Sequence, residues 1–374
     1  GRALVLIDGV DEVSLQHRRQ LLEELETLVR AYPTARYVIT TRPAAIKHWP
    51  EWAAWMRSAG FVTATLQEME PEQVFAFVAQ WHDALLASTN NAAEMAAIRL
   101  LPASLKQLLR QRLPLRQLAR NPLLCTMICA LHRDRPQSMP RDRVTLYADC
   151  IALLLYRRDS ERMVGSMTDY PALTYRHEEA VLRDYAHHML FNEESEESFE
   201  EMEIFFDGLL TRYQMPGWTG TLLRDFYLKR TGLLIEPAEG RIAFAHRSFQ
   251  EFLTARAIVN RNDIGLLLSK ARDDQWRETI LLTVALPEIN EKQSGKFFRE
   301  LLKKADALTT PRNRHELYLL AVACTESPMF LSDDLRKAIL DRARTLVPPR
   351  SDDDVRLLAK AGEPCGGSSK PSCM

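Results

Sequence analysis

The sequence predicts a mixed architecture, α/β plus mostly α: a small parallel sheet near the amino terminus, followed by a long helical region. Two short apolar runs on either side of an amphipathic helical pattern predict the sheet. Helical spacing of apolar residues over most of the remaining chain predicts the rest. With 374 residues, the chain is long enough for several domains with separate cores.

Composition and charge are those of an ordinary globular protein. Apolar residues make up 46% of the chain, and 49 Lys and Arg nearly balance 50 Asp and Glu. This balance gives no overall field that would attract nucleic acid or an anionic membrane. No apolar run reaches the ~20 residues of a membrane helix, and no signal peptide opens the chain. We therefore expect a cytoplasmic protein that binds neither membrane nor nucleic acid.

The six cysteines are too few for a disulfide framework in so long a chain, which fits a reducing cytoplasm. Cys125 and Cys129 are one helical turn apart, with His132 and Cys150 nearby in sequence. A zinc site would need four ligands at tighter spacing, so buried thiols in a core helix are the favoured interpretation.

The first predicted strand is the run Ala3-Leu-Val-Leu-Ile7, which ends abruptly at Asp8, with Asp11 and Glu12 close behind. Ligands of α/β proteins bind at the carboxyl ends of such strands. Mg²⁺ prefers oxygen ligands, commonly one or two carboxylates with water and phosphate. The pattern therefore predicts a magnesium–phosphate site, and the alternative is a buried strand that ends in a polar turn.

A helix and a second strand follow. Ser14 is a candidate N-cap for a helix that ends at Pro33, and residues 36–41 read as the next strand. Strand, helix and strand within about 40 residues predict a βαβ unit with parallel, adjacent strands. This order places Arg42 at the same sheet edge as Asp8, where a guanidinium could contact a phosphate. The alternative is an arginine paired with an acidic neighbour.

The helical region begins after a third expected strand at residues 61–66. Pro71 favours a helix start, and Asn121 followed by Pro122 favours another, with asparagine as the cap and proline in the first turn. The pair Ser198 and Glu201 predicts a capping box for a later helix.

The acidic run at residues 193–197 is interpreted as a solvated loop. Further on, two apolar runs flank a Pro/Gly turn within residues 232–255 and predict a β-hairpin. Ser248 and Glu251 predict a capping box for the helix that follows, and His246 lies between the hairpin and that helix.

The carboxyl-terminal part reads as a helical array without a clear repeat period, similar to a short HEAT-like domain. Its expected helices lie around residues 276–286, 295–304, 315–324 and 335–346.

Taken in order, these motifs resemble the NACHT branch of the STAND NTPases. Asp8-Gly-Val-Asp-Glu12 resembles the extended Walker B box of that family, and Thr40-Thr-Arg-Pro43 resembles its first sensor. Residues 140–158 resemble the segment that opens its winged-helix domain, and Phe244-Ala-His-Arg-Ser-Phe-Gln-Glu-Phe-Leu253 resembles its winged-helix signature. The resemblance covers residue 3 to about residue 256.

The resemblance implies catalytic and cofactor roles at the sheet edge. Asp8 would hold the water shell of Mg²⁺, and Asp11 with Glu12 would orient or polarise the water that attacks the γ-phosphate of ATP. Arg42 would contact the same phosphate.

Two further nucleotide contacts are implied outside the sheet. Pro122 would pack on the adenine ring, although a helix-initiating proline would account for it equally well. His246 would donate to the β-phosphate of bound ADP and hold the domains closed, and a structural histidine is the alternative.

The resemblance also implies the domain organisation of a longer NTPase. The loop Gly-x-x-x-x-Gly-Lys-Ser/Thr that cradles phosphates is absent from this sequence, and the family places it upstream of the acidic box. We therefore expect a fragment that does not hydrolyse ATP by itself. The expected domains are the last part of a nucleotide-binding domain (1–68), a helical domain (69–138), a winged-helix domain (139–258), a HEAT-like region (259–350) and a disordered tail (351–374).

The implied function is an ADP/ATP-controlled signalling switch, as in bacterial antiphage defence and animal innate immunity. A trigger sensed by the carboxyl-terminal helices would let ATP replace ADP, and the open form would oligomerise and activate an amino-terminal effector. Two alternatives are a nucleotide-free helical scaffold and a winged-helix DNA-binding regulator. Neutral net charge and the acidic wing residues Glu236 and Glu239 count against the regulator.

Overall fold

The computed structural model describes residues 3–10, 13, 17–41, 50–64, 66–161, 171, 173–325 and 331–346, without the side chains of 50 and 156–161. The chain forms two compact units, one made of residues 1–64 and 166–348 and the other of residues 65–165. Both are rich in helix, and the described strands form two small sheets. At this coarse level the predicted mixture of a small sheet and many helices is confirmed. The finer division into five domains remains a prediction.

The first unit begins with the expected βαβ arrangement. Strand β1 (Leu4–Ile7), helix α1 (Arg18–Ala31) and strand β2 (Arg36–Ile39) follow one another, and the two strands pair in parallel from Leu4 opposite Arg36 to Ile7 opposite Ile39. The predicted parallel pairing is therefore confirmed. The predicted cap is not, because α1 begins at Arg18 without a side-chain cap, and Ser14 lies outside the described residues.

One face of this two-stranded sheet is covered and the other is not. Helix α2 (Pro50–Ser58) and α1 supply the core, in which the rings of Trp52 and Trp55 lie 5.2 Å apart. On the opposite face, the apolar side chains of Leu4, Leu6 and Val38 are more than half exposed. The strands therefore carry an uncovered apolar surface within the described part of the chain.

The strand expected at residues 61–66 is a wrong prediction. Residues 61–64 and 66 form no strand, and Val62 and Leu66 are 91% and 99% exposed. Gly60 ends α2 in the left-handed conformation, with φ of 76°. The ring of Phe61 packs 5.4 Å from that of Trp55, and no other apolar residue of the run finds a core to face. A short run of strand-favouring residues alone therefore does not make a strand here.

The second unit is helical throughout its described residues. Its core contains the free, buried thiols of Cys125, Cys129 and Cys150, and burial raises the pKa of Cys150 to about 12. The interpretation of these residues as buried thiols is confirmed. The helices are α3 (Pro71–Ala87), α4 (Ala92–Gln111), α5 (Leu113–Leu118), α6 (Pro122–Asp134) and α7 (Arg143–Glu161).

The first unit resumes with a three-stranded antiparallel sheet among helices. The expected hairpin is confirmed by the pairing of β4 (Leu234–Ile235) with β5 (Arg241–Phe244). A third strand, β3 (Glu196–Ser198), pairs with the other side of β5. The surrounding helices are α8 (Tyr175–Phe191), α9 (Phe199–Tyr213), α10 (Gly220–Phe226) and the π-helical turn Tyr227–Thr231.

Strand β3 corrects the interpretation of residues 193–197 as a solvated loop. The acidic residues of this run favoured a loop, but residues 196–198 form a strand whose middle residue, Glu197, is 4% exposed. Immediately after it, the predicted capping box of Ser198 and Glu201 is confirmed at the start of α9.

Helix α11 (Arg247–Arg261) lies at the centre of this unit and packs against α8 and α13 (Arg277–Ala285). The capping box predicted for Ser248 and Glu251 is wrong, because the helix begins two residues earlier. Ser248 is already inside the first turn, and the Glu251 carboxylate pairs with Arg247 at 3.3 Å. The cap is supplied by His246 instead.

The carboxyl-terminal helices confirm the expected helical array. Their core includes Trp276, Phe297 and Phe298, all fully buried. In the described part of the chain, no helix is long and apolar enough to cross a bilayer. Besides α13, the helices are α12 (Ile264–Ser269), α14 (Glu291–Asp306), α15 (Pro311–Cys324) and α16 (Asp333–Arg344).

Candidate functional site

Asp8 lies at the carboxyl end of β1, beside the end of β2. Its carboxylate accepts a hydrogen bond from the hydroxyl of Thr40, and that hydroxyl accepts one from the amide of Gly9 at 2.9 Å. Backbone hydrogen bonds continue the ladder, from the Thr40 amide to the Ile7 carbonyl at 2.9 Å and from the Val10 amide to the Thr40 carbonyl at 3.2 Å. The two strand ends are therefore joined by both main chain and side chain.

The turn after β1 sets the direction of the Asp8 side chain. Gly9 adopts φ of 68°, a conformation that glycine tolerates better than other residues. Val10 then returns to the core, where it is 3% exposed. Asp8, which precedes this turn, remains exposed at the sheet edge. The buried side chain of Val10 and the hydrogen bond from the Thr40 hydroxyl therefore fix the position of the exposed Asp8 carboxylate.

The other predicted catalytic residues, Asp11, Glu12 and Arg42, lie outside the described residues. Their roles remain predictions. The structure does describe the segment that leads to Arg42, because Thr40 ends β2 on the same edge as Asp8. Both halves of the predicted site therefore start from adjacent points of one edge.

The donor set at this edge fits a hard cation. A carboxylate and a hydroxyl offer oxygen ligands, which is the chemistry that Mg²⁺ prefers, and the Asp8 carboxylate is exposed. A magnesium ion there would neutralise phosphate charge. Asp8 is the described residue that would hold it.

Pro122 occupies the first turn of α6 in the second unit. The helix is capped by Asn121, whose side-chain oxygen accepts from the Leu124 amide at 3.2 Å, and Pro122 itself is exposed. This arrangement is that of a helix-initiating proline, as its alternative interpretation expects. The predicted contact with adenine stays a prediction.

His246 joins the hairpin to α11 and caps that helix. Its Nδ1 accepts a hydrogen bond from the Ser248 amide at 3.1 Å, and the residue is exposed at the helix amino terminus. Because Nδ1 acts as an acceptor, the neutral ring carries its proton on Nε2. His246 therefore has the structural role of a helix cap. This role leaves the ring in the tautomer whose Nε2–H can donate to a phosphate.

One cluster of chemically active residues escaped the sequence analysis. A nitrogen of His188 and carboxylate oxygens of Glu194 and Glu197 lie within 4.8 Å of one another. The spacing of one histidine and two glutamates within ten residues was a possible signal. It was missed because the acidic run was interpreted as solvated.

Comparison with known proteins finds no match: no protein-family model fits the chain, and no curated protein is significantly similar to it. Any function assigned to the chain therefore rests on its motifs and on the geometry around Asp8 and His246.

Proposed function

We propose that this chain is part of a NACHT-type STAND NTPase, a cytoplasmic signalling switch controlled by bound ADP or ATP. The observation that carries the proposal is the parallel pairing of β1 with β2. It brings the acidic box that begins at Asp8 and the segment that leads from Thr40 to Arg42 to one sheet edge. Ligands of open α/β sheets bind at that edge.

The uncovered face of the sheet is a second supporting observation. Parallel strands are usually covered on both faces. Here Leu4, Leu6 and Val38 present apolar side chains that no described residue covers to any large extent, at 61%, 69% and 51% exposure. Such a face fits a larger nucleotide-binding domain in which further elements complete the layer.

Within this proposal, Asp8 holds the water shell of Mg²⁺, which supplies positive charge to the phosphates. Asp11 and Glu12 orient or polarise the attacking water, and Arg42 contacts the γ-phosphate. The sequence contains no phosphate-cradling Gly-x-x-x-x-Gly-Lys-Ser/Thr loop, so that loop comes from another segment of the whole protein. The chain alone would then bind ATP poorly and would not hydrolyse it.

His246 gives the switch its ADP-dependent contact. With Nδ1 used to cap α11, Nε2–H donates to the β-phosphate of ADP and keeps the protein closed. A trigger at the carboxyl-terminal helices releases this state, ATP enters, and the open form oligomerises to activate an amino-terminal effector. Antiphage defence in bacteria is the setting that the resemblance favours.

The energy required is within reach of a few contacts. Changing a two-state equilibrium from about 1:99 to 99:1 takes ~5.5 kcal/mol of differential binding. Hydrogen bonds to charged groups contribute roughly 1.5–3 kcal/mol each. Metal and side-chain contacts to a single phosphate group can therefore account for the difference between the ADP and ATP states.

The experiment is to purify the whole protein that contains this chain and measure its bound nucleotide. We expect ADP to copurify, and His246→Asp to weaken ADP binding at least ~10-fold, because aspartate caps a helix well but cannot donate to a phosphate. Asp8→Asn should abolish Mg²⁺-dependent ATP turnover. Nucleotide released from denatured protein and isothermal titration with ADP supply the two readouts.

A matched pair of variants separates the phosphate contact from the helix cap. His246→Ala removes both, whereas His246→Asp keeps the cap acceptor for the Ser248 amide. If His246→Asp binds ADP as tightly as the unchanged protein, the histidine is only a cap. If neither the whole protein nor the Asp8→Asn variant carries or binds nucleotide, the proposal is wrong and a nucleotide-free scaffold is the better description.

A further inference from the structure

The strongest unassigned chemistry is the His188 cluster, defined as His188, Glu194 and Glu197. His188 lies in the last turn of α8, Glu194 follows that helix, and Glu197 is the middle residue of β3. One ligand atom from each lies within 4.8 Å of the others, and His188 Nε2 is 3.1 Å from Glu197 Oε1. Ligand atoms bound at ~2.0–2.2 Å around one zinc ion are separated by roughly 3–3.6 Å. Small side-chain adjustments would therefore bring all three onto one ion.

The carboxylate of Glu197 is buried, that of Glu194 is partly buried, and the hydrogen bonding of both is incomplete. The side chain of Glu197 is 5% exposed, and its Oε2 atom has no hydrogen-bond partner in the described part of the chain. The same holds for the buried Oε2 atom of Glu194. A buried carboxylate oxygen without a partner is costly, and a bound cation removes that cost.

The nearby cationic side chains form their direct ion pairs with other carboxylates. Arg241 pairs with Glu196 at 3.3 Å, and Lys270 pairs with Glu193 at 3.6 Å. Among the described residues, no lysine or arginine forms an ion pair with either carboxylate of the His188 cluster. Among the described residues, His188 is therefore the basic side chain paired with Glu197, and the charge of Arg241 acts on Glu194 without a direct ion pair.

A buried tyrosine lies beside the cluster. Tyr185, one turn before His188, is fully buried, and its ring centroid lies 6.4 Å from that of His188. Its hydroxyl adjoins the Glu197 carboxylate. An ion bound at the cluster would offset the negative charge that this buried hydroxyl faces.

The imidazole is held in the way that metal-binding histidines commonly are. The ring of Phe205 stacks on His188 with centroids 4.2 Å apart, which fixes its plane. The side-chain amide of Asn192 lies 3.3 Å from Nδ1, and its oxygen can accept a hydrogen bond from Nδ1–H once the amide oxygen and nitrogen are exchanged. A second-shell acceptor at Nδ1 leaves Nε2 as the metal ligand.

We propose that His188, Glu194 and Glu197 bind one divalent transition-metal ion, with Zn²⁺ as the best match. One imidazole with two carboxylates suits zinc better than Mg²⁺ or Ca²⁺, which take oxygen ligands only. Three protein ligands leave a fourth position for water. The ion would tie the end of α8 to β3 and, through the pairing of β3 with β5, to the hairpin before His246.

The test is a calorimetric titration of the full chain with a zinc salt after treatment with a chelator, with Cys365 and Cys373 changed to serine so that the tail thiols do not bind. We expect one equivalent of zinc to bind in the micromolar range or tighter. His188→Gln and Glu197→Gln should each weaken binding at least ~10-fold. An excess of Mg²⁺ should not displace zinc, and Co²⁺ should give the visible absorption of a four-coordinate site.

Glu196→Gln is the matched control, because it removes the same charge from the neighbouring residue of β3, whose carboxylate pairs with Arg241 outside the cluster. It should bind zinc as the unchanged chain does. Zinc should raise the melting temperature of the unchanged chain but not of Glu197→Gln, which we expect to fold because it relieves carboxylate repulsion. Absence of saturable binding, or equal binding by all the variants, would overturn the proposal.

Discussion

At the scale of single residues, the side chains of the candidate site also stabilise the local structure. The Thr40 hydroxyl bridges the Asp8 carboxylate and the Gly9 amide, so it positions a candidate metal ligand while closing a turn. His246 caps α11 through Nδ1, and this fixes which nitrogen of the ring can serve as a donor. The alternatives weighed from the sequence, structural residue or ligand, are thus compatible at His246.

The residue His132 makes the second unit sensitive to acid. Burial, and then the proximity of His82, lowers the pKa of His132 from 6.5 to about 4. Between these values the unfolded chain binds a proton that the folded chain does not. The stabilisation is therefore complete above pH 6.5 and is lost as the pH falls toward 4. We expect the free energy of unfolding to drop on the order of 2–3 kcal/mol across this range.

Urea denaturation at several pH values, followed by circular dichroism, measures this loss. His132→Gln should flatten the dependence on pH, because glutamine can still contact Ser104, which lies 3.2 Å from His132 Nε2, but does not titrate. Exchange of the exposed His17 for glutamine is the control and should change the profile little. Equal pH profiles for the His132→Gln and unchanged chains would contradict the assignment.

At the scale of elements, local signals predicted one helix start correctly and another wrongly. The Ser198 and Glu201 capping box is confirmed, whereas the equally spaced pair Ser248 and Glu251 forms none, because His246 caps that helix two residues earlier. The strand expected at residues 61–66 failed, since a strand needs a partner that periodicity does not reveal. The loop predicted at residues 193–197 was also wrong, because part of this segment pairs with β5 as a strand in spite of its charges.

The candidate site was predictable only in part for the same reason. The order of strands gave the common edge of Asp8 and Thr40, since parallel βαβ units have few possible arrangements. The capping role of His246 depends on where α11 begins, which the sequence placed two residues too late. The His188 cluster depends on long-range pairing of β3 and was therefore missed.

Two glycines in and beside the contact between α9 and α10 should respond to alanine substitution with opposite changes in the free energy of unfolding. A Cβ atom at Gly220 would lie 2.9 Å from the Cα of Glu203 and closer still to its carbonyl oxygen. Gly220→Ala should therefore destabilise the chain by about 1–3 kcal/mol through overpacking. Gly208 lies within α9 with open space around it, so Gly208→Ala should stabilise by ~0.5–1 kcal/mol.

Thermal and urea unfolding of both variants would measure these changes under the same conditions. The two substitutions add the same methyl group, so the comparison removes any general effect of alanine. A neutral Gly220→Ala would show that α10 can move away from α9, and the close approach would then not be essential to the fold.

At the scale of the whole molecule, a buried ion pair joins distant parts of the first unit. Arg18, at the start of α1, contacts Asp274 at 3.5 Å, and both side chains are about 95% buried, being 4% and 5% exposed. The same arginine donates to the Val13 carbonyl at 3.2 Å, and Gln275 also reaches that carbonyl at 3.5 Å. The βαβ segment is therefore tied to residues that precede α13.

Replacing one member of the Arg18–Asp274 ion pair should lower the free energy of unfolding more than replacing both. Asp274→Leu removes the carboxylate that the buried guanidinium of Arg18 contacts and should destabilise the chain by about 3–5 kcal/mol. Arg18→Met combined with Asp274→Leu removes both charges and should recover much of this loss. Urea denaturation of the two single variants and the double variant completes the cycle, and strictly additive effects would contradict the pairing.

Helix α11 has a mechanical consequence for the molecule. Most of its residues are buried, and it runs between α8 and α13 directly after His246. A helix enclosed on this scale cannot tilt without displacing its close-packed neighbours. A displacement of α11 at His246 would therefore also displace α13, so within the proposed function nucleotide binding at His246 and the arrangement of the carboxyl-terminal helices should change together.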